Sequence, residues 1–133
     1  AYTDRDDTAA PVHPWPEQIE TCDFLIFTCS LTPSSRHMLN ADTLARAKPG
    51  VRIINVARGP LIDEPALIDG LRSGQVNCAA LDVMEQEPLP ADSPLRGFAR
   101  CIFGSHNGSN TSDAVKATSE IAIDKLIGFL TKH

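Results

Sequence analysis

Four short apolar runs constrain this chain more than any other feature: CDFLIFTC (22–29), VRIINVA (51–57), NCAALDV (77–83) and CIFG (101–104). The first lacks the polar alternation of a half-exposed strand, as expected where both faces of a sheet are covered. Helix signals lie between the runs. Asn40 can cap a helix over ADTLARAK, which Pro49-Gly50 stops. Asp63 can cap EPALIDGLRS, with Pro65 in its first turn and Gly74 placed to end it. From about Thr111 to Leu130, the positions Val115, Ile121, Ile123, Leu126, Ile127 and Leu130 suit a long amphipathic helix. The order is strand, helix, strand, helix, strand, long loop, strand, helix. Strands alternating with short helices imply right-handed crossovers and an α/β fold, a parallel sheet with flanking helices.

The remaining segments are irregular. Residues 3–16 are polar and proline-bearing, and Pro16 can open a short turn over PEQIE (16–20). Residues 84–97 contain Pro88, Pro90 and Pro94 and cannot form a regular element. The chain opens on AYTDRDD without an initiator Met, and AY reads as the end of a strand that begins upstream; a piece of a longer protein is expected.

With 133 residues the chain can bury a core, roughly two-thirds of its unfolded surface. A net charge of −5 without a basic block gives no electrostatic footprint for nucleic acid, and no stretch approaches a membrane-spanning length. Cys22, Cys29, Cys78 and Cys101 form no CxxC pair and no ligand-like spacing with the histidines. They read as small buried hydrophobes, which suits a reducing cytoplasm, and no signal peptide is visible.

Three polar side chains follow the apolar runs: Arg58, Glu87 and His106. In an open parallel sheet, ligands bind at the carboxyl ends of the strands. Arg58 offers a fork that grips a carboxylate, with Gly59-Pro60 turning it back over the strand ends; the alternative is a surface arginine in a turn. His106 lies in GSHNGSNT, a glycine- and serine-rich loop, where it either exchanges protons or has no task. Glu87 can orient an imidazole, or is a solvated glutamate in an acidic loop. Asp82 ends a run and either caps the following turn or accepts a hydrogen bond from a ligand amide. His13 and His37 sit in polar loop sequence and His133 is terminal; none is assigned a role. No GxSxG elbow supports serine-nucleophile chemistry, and Glu85 with Glu87 has no geometric warrant as a glycosidase pair.

INVARGPLIDEPALIDGLRSGQ, ALDVMEQEPLPADSPL and GSHNGSNT, in that order, resemble the D-isomer-specific 2-hydroxyacid dehydrogenases, with the flavour of phosphoglycerate dehydrogenase. The likeness covers roughly residues 18–130. It implies that residues 1–133 are the C-terminal part of a Rossmann-like NAD-binding domain, without the G-x-G-x-x-G half and without the substrate domain. It implies that Arg58 holds the substrate carboxylate, His106 is the acid–base at the C2 oxygen, and Glu87 pairs with that histidine. Cofactor-binding positions implied are Cys29 and Ser30 within TCSLT, a loop that passes the adenosine side, the backbone of Val56 and Ala57, Asp82 at the nicotinamide end, and Gly108. The cofactor expected is NAD, with NADP open, because Thr3 and Asp4 stand at the ribose position and Arg5 could accept a 2′-phosphate. The partners expected are a small 2-hydroxy or 2-keto acid and a second copy of the chain. A homodimer or higher oligomer follows from the open strand edge and uncovered apolar face that half a sheet leaves. The isolated chain is expected to be inactive. The competing reading is a truncated, non-catalytic module that folds and self-associates without binding dinucleotide.

Overall fold

The computed structural model describes residues 13–131, so Thr3, Asp4 and Arg5, on which the NAD-versus-NADP expectation turns, lie outside the described residues. Each apolar run forms a strand: β1 is Phe24–Phe27, β2 is Val51–Asn55, β3 is Val76–Leu81 and β4 is Cys101–Phe103. Helices α1 (Ala41–Arg46) and α2 (Glu64–Ser73) join the first three strands, and α3 (Ser112–Leu130) follows the last. The caps are those the sequence announces. Asn40 Oδ1 accepts from the Thr43 amide at 3.1 Å, and Thr43 Oγ1 accepts from the Asn40 amide at 2.8 Å, a capping box. Asp63 Oδ1 accepts from the Ala66 amide at 3.3 Å, and Gly74, at φ 83°, ends α2 in the left-handed region. Pro16 lies in a hydrogen-bonded turn, its carbonyl accepting from the Ile19 amide at 3.4 Å, which runs into a 3-10 turn at Ile19–Thr21.

The four strands pair in sequence order, all parallel. Successive crossovers of one hand advance the sheet in one direction and lay their helices on one face. That face is the core. Leu25, Phe27, Ile53, Ala79 and Leu81 point into it and pack with Leu44, Leu67, Ile68 and Leu71 from the helices. Trp15 closes one end, its ring edge-on to Phe27 at 5.9 Å and its indole N–H donating to the Met38 carbonyl at 3.0 Å.

The other face corrects the expectation of cover on both sides. Phe24 and Ile26 are 52% and 60% exposed, alternating with buried Leu25 and Phe27. By register, Ile26, Ile54, Ala80 and Ile102 form one row across this face. The runs are apolar enough for two covers, but among the described residues only one is supplied. Helix α3 forms where the periodicity places it, yet buries none of its residues; Val115, Ile121, Ile123, Leu126, Ile127 and Leu130 all stay more than half exposed. Among the described residues no helix is long and apolar enough to cross a membrane.

Candidate active site

Because all four strands are parallel, the turns after β2, β3 and β4 emerge along one edge. The turn after β2 is built on Asn55, a fully buried polar side chain. Its Oδ1 accepts from the Ala57 amide at 3.1 Å and its Nδ2 donates to the Arg58 carbonyl at 3.0 Å. Arg58 is thereby held by its backbone while its guanidinium stays exposed, with Nη1 donating to the Ala57 carbonyl at 2.6 Å. Gly59 follows because nothing larger fits. A Cβ there would lie 1.8 Å from the Met84 carbonyl oxygen and 2.5 Å from the Glu85 amide nitrogen. The Arg58 turn and the loop that carries Glu87 therefore touch backbone to backbone.

After β3 comes Asp82, whose amide donates to the Asn55 carbonyl at 2.9 Å. Its carboxylate does not cap the next turn. It reaches across to the loop after β4, with Oδ1 accepting from the Asn107 amide at 3.2 Å and Oδ2 from the Gly108 amide at 2.8 Å. Its carbonyl accepts from the His106 amide at 2.8 Å. Gly104 is required here, since a Cβ would sit 2.1 Å from Asp82 Oδ1. The loop so gripped holds His106 at φ 57°, a left-handed conformation costly for a non-glycine residue and sustained by these three bonds.

His106 meets Glu87. Its Nδ1 lies 2.7 Å from Glu87 Oε2, while Glu87 Oε1 accepts from the Met84 amide at 3.0 Å. The Glu87 carboxyl is held below the ordinary carboxylate range, first by the hydrogen bond from His106 and further by the Met84 amide and the charges of His106 and Arg58, against an opposing burial effect. With Nδ1 taken by Glu87, Nε2 is the nitrogen left to exchange a proton with a ligand. The Arg58 turn adjoins the loop that carries the pair, since Gly59 packs directly on the Met84 and Glu85 backbone.

Two cavities flank this cluster. One, of about 460 Å³, is lined by Thr28, Cys29, Ser30, Leu31, Val56, Ala57 and Arg58. The other, of about 550 Å³, is walled by Met84, Pro88, Leu89 and Phe103, with Glu87, Arg96 and His106 at its polar side. The first brings together four of the positions expected to line a cofactor, Cys29, Ser30, Val56 and Ala57, beside Arg58. Its size suits part of a dinucleotide, and Val56, half exposed, gives it an apolar surface. Asp82 and Gly108 belong instead to the His106 loop. No group of three or more potential metal ligands occurs among the described residues. The four cysteines are free and half-buried, and burial pushes the Cys101 thiol up, away from nucleophilic use.

Two contributors escape a sequence reading. Asn55 hides inside an apolar run, its only signal a polar residue in a strand otherwise made for the core. His37 sits in polar loop sequence, and its Nε2 lies 2.5 Å from Glu85 Oε1.

The family described as D-isomer specific 2-hydroxyacid dehydrogenase, NAD binding domain, matches residues 2–108. A glyoxylate/hydroxypyruvate reductase B from Serratia proteamaculans is 42% identical over 109 residues, 82% of this chain and 34% of that protein. The crystal structure of a glyoxylate reductase from Paecilomyes thermophila superposes with a TM-score of 0.74 at 35% identity, over 81% of this chain and 33% of the other. A D-isomer specific 2-hydroxyacid dehydrogenase from Xanthobacter autotrophicus Py2, solved in complex with NADPH and MES, gives a TM-score of 0.65 at 43% identity, over 66% of this chain and 36% of the other. The chain spans about a third of the length of the curated relatives it matches.

Proposed function

The chain belongs to the D-isomer-specific 2-hydroxyacid dehydrogenases, matching their NAD-binding domain, and on that premise we propose that it carries the acid–base and carboxylate-binding residues of an NAD(P)-dependent oxidoreductase acting on the CH–OH group of a D-2-hydroxy acid. The substrate class is a small 2-keto or 2-hydroxy acid, of the kind that gives the glyoxylate and hydroxypyruvate reductases their names. In this reading the chain is the C-terminal part of the cofactor domain, works in the cytoplasm and assembles as a homo-oligomer. The G-x-G-x-x-G turn that seats a pyrophosphate is not among its 133 residues.

The observation that carries the proposal is the 2.7 Å His106–Glu87 pair at the strand ends, on a loop packed against the Arg58 turn. When bound, the reduced nicotinamide would supply the hydride for C2 of the keto acid. Arg58 takes the substrate carboxylate in two hydrogen bonds and fixes which face of C2 is presented. Glu87 orients the imidazole through Nδ1, and the protonated His106 gives its Nε2 proton to the C2 oxygen as negative charge grows there. Oxidation runs the same proton back onto Nε2. Asp82 keeps the His106 loop at its height, and the second lone pair on each of its oxygens remains for a ligand amide. The cavity beside Val56 and Cys29 would take part of the cofactor, with Cys29 and Ser30 toward its adenosine side. Reduction of glyoxylate by NADH or NADPH, catalysed by the complete enzyme containing this chain, tests the reading. His106→Ala is expected to remove nearly all turnover, and retained turnover would reject the role.

The competing reading is a self-associating module without dinucleotide binding, favoured by the open row Ile26, Ile54, Ala80 and Ile102 and the exposed apolar side chains of α3. Titration of the 133-residue chain with NADH separates the two: a micromolar dissociation constant defeats this alternative. Light scattering tests the self-association common to both, and a monomeric mass contradicts it.

A further inference from the structure

His37 occupies a position that neither the sequence pattern nor the proposed chemistry assigns. Its amide donates to the Pro60 carbonyl at 2.8 Å, two residues beyond Arg58. The segment continues alongside that turn, with the Leu39 amide donating to the Leu61 carbonyl at 3.1 Å and the Asp63 amide to the Leu39 carbonyl at 2.8 Å. Its ring reaches the other way, to Glu85, 48 residues along the chain and two before Glu87. His37 is thus bonded at once to the turn that presents Arg58 and to the loop that presents Glu87.

We propose that His37 is a positioning residue for the acid–base pair: by holding Glu85, it pins the Glu87 loop against the Arg58 turn, so that the Glu87 carboxylate meets the His106 imidazole. This rests on reading His106 and Glu87 as that pair. Met84 and Leu89 anchor the two ends of this loop in the core, and the Glu85 carboxylate is what ties its middle to the rest of the fold. Besides the His106–Glu87 bond itself, the side-chain bonds between Met84 and Glu87 are the internal one from the Met84 amide to Glu87 Oε1 and those of the Glu85 carboxylate. On its other oxygen Glu85 meets only the Glu64 amide, at a long 3.4 Å. The neighbouring Glu64 carboxyl is pushed up by burial, against a hydrogen bond with the Glu85 backbone, and further by the charge of Glu85. Without a cationic or donating partner Glu85 would be repelled from that site and swing out. The backbone between Met84 and Glu87 would follow it, away from Gly59. Residue 37 lies at φ 49°, so the ring is delivered from a left-handed position that histidine and asparagine tolerate better than most side chains.

The test reads the Glu87 carboxyl in the 133-residue chain by carbon-detected NMR titration. The groups that face it, His106, the Met84 amide and Arg58, are kept in every variant. His37→Asn preserves the left-handed backbone and its amide bond but is too short to reach Glu85. It should raise the Glu87 midpoint from its lowered position toward the ordinary carboxylate range, by on the order of half a pH unit. His37→Gln, whose amide still reaches, should restore the low midpoint. Glu85→Asp keeps the charge, withdraws the carboxylate, and should reproduce the rise if His37→Asn does not fold. A purely structural role would lower the melting temperature and leave the midpoint where it is. A Glu87 midpoint unchanged in His37→Asn, or in Glu85→Asp, overturns the proposal. The readout involves neither cofactor nor turnover, so failure of the dehydrogenase reading and failure of this one are told apart.

Discussion

Replacing Gly59 with alanine tests how tightly the site is built. The added Cβ would lie 1.8 Å from the Met84 carbonyl oxygen and 2.0 Å from its carbon, and ordinary contact begins at 3.4 Å. The Arg58 turn and the Glu87 loop must therefore separate by about 1.6 Å, from 1.8 to 3.4 Å. Both partners are backbone, so no rotamer change relieves the clash. Overpacking of this kind costs about 1–3 kcal/mol, and more where backbone must move. With a urea slope of about 1–3 kcal/mol per molar, the denaturation midpoint should fall by about 1 M. Gly97→Ala is the matched control, because a Cβ there meets nothing within 4 Å and its φ is not in the left-handed region. It should stay within about 0.5 kcal/mol of the parent. In the complete enzyme the same displacement separates guanidinium from imidazole, and a 1 Å misplacement costs on the order of 10²-fold in rate. Equal urea midpoints for Gly59→Ala and Gly97→Ala would refute the reasoning.

Asn55→Ala should destabilise the chain by about 2–3 kcal/mol in urea unfolding, because it removes a buried side chain and leaves the Ala57 amide and Arg58 carbonyl without their partners. Asp82→Ala should leave the sheet intact but release the loop after β4, seen as hydrogen exchange of the Asn107 and Gly108 amides accelerated by tenfold or more. The folded Glu87 carboxyl titrates below its unfolded value, so the stabilisation it brings is present above the unfolded pKa and is lost as pH falls through the folded one. Glu87→Gln should accordingly flatten the acid limb of a stability–pH curve, and an unchanged limb would contradict the pairing with His106.

The strands and helix ends were legible because their signals are local. A cap such as Asn40 or Asp63 and a stop such as Gly74 act within a turn of the residues they govern. The site was legible only where position along a strand settles which edge a residue reaches, as for Arg58, Asp82 and His106. What stayed hidden depends on contacts far apart in sequence. Glu85 and Glu87 look alike two residues apart in an acidic loop, and only the fold gives one to His37 and the other to His106. Asp82 was expected to cap its own turn or meet a ligand, but its oxygens grip a loop more than twenty residues on. Asn55 reads as a flaw in an apolar strand until the turn it braces is seen. The stripe on α3 is correctly read as apolar, but periodicity says nothing about what it packs against, and the described residues supply no cover.

The most direct test of the central claim, that Arg58, Glu87 and His106 form one carboxylate-binding acid–base site beside a cofactor pocket, is an amide chemical-shift map of the labelled chain titrated with NADH and oxalate, an anion it cannot reduce. Shifts confined to residues 28–31, 55–59, 82–87 and 104–108 are the result expected. Shifts on α1 and α2 instead, or oxalate moving residues near Arg58 but none near His106, would contradict it.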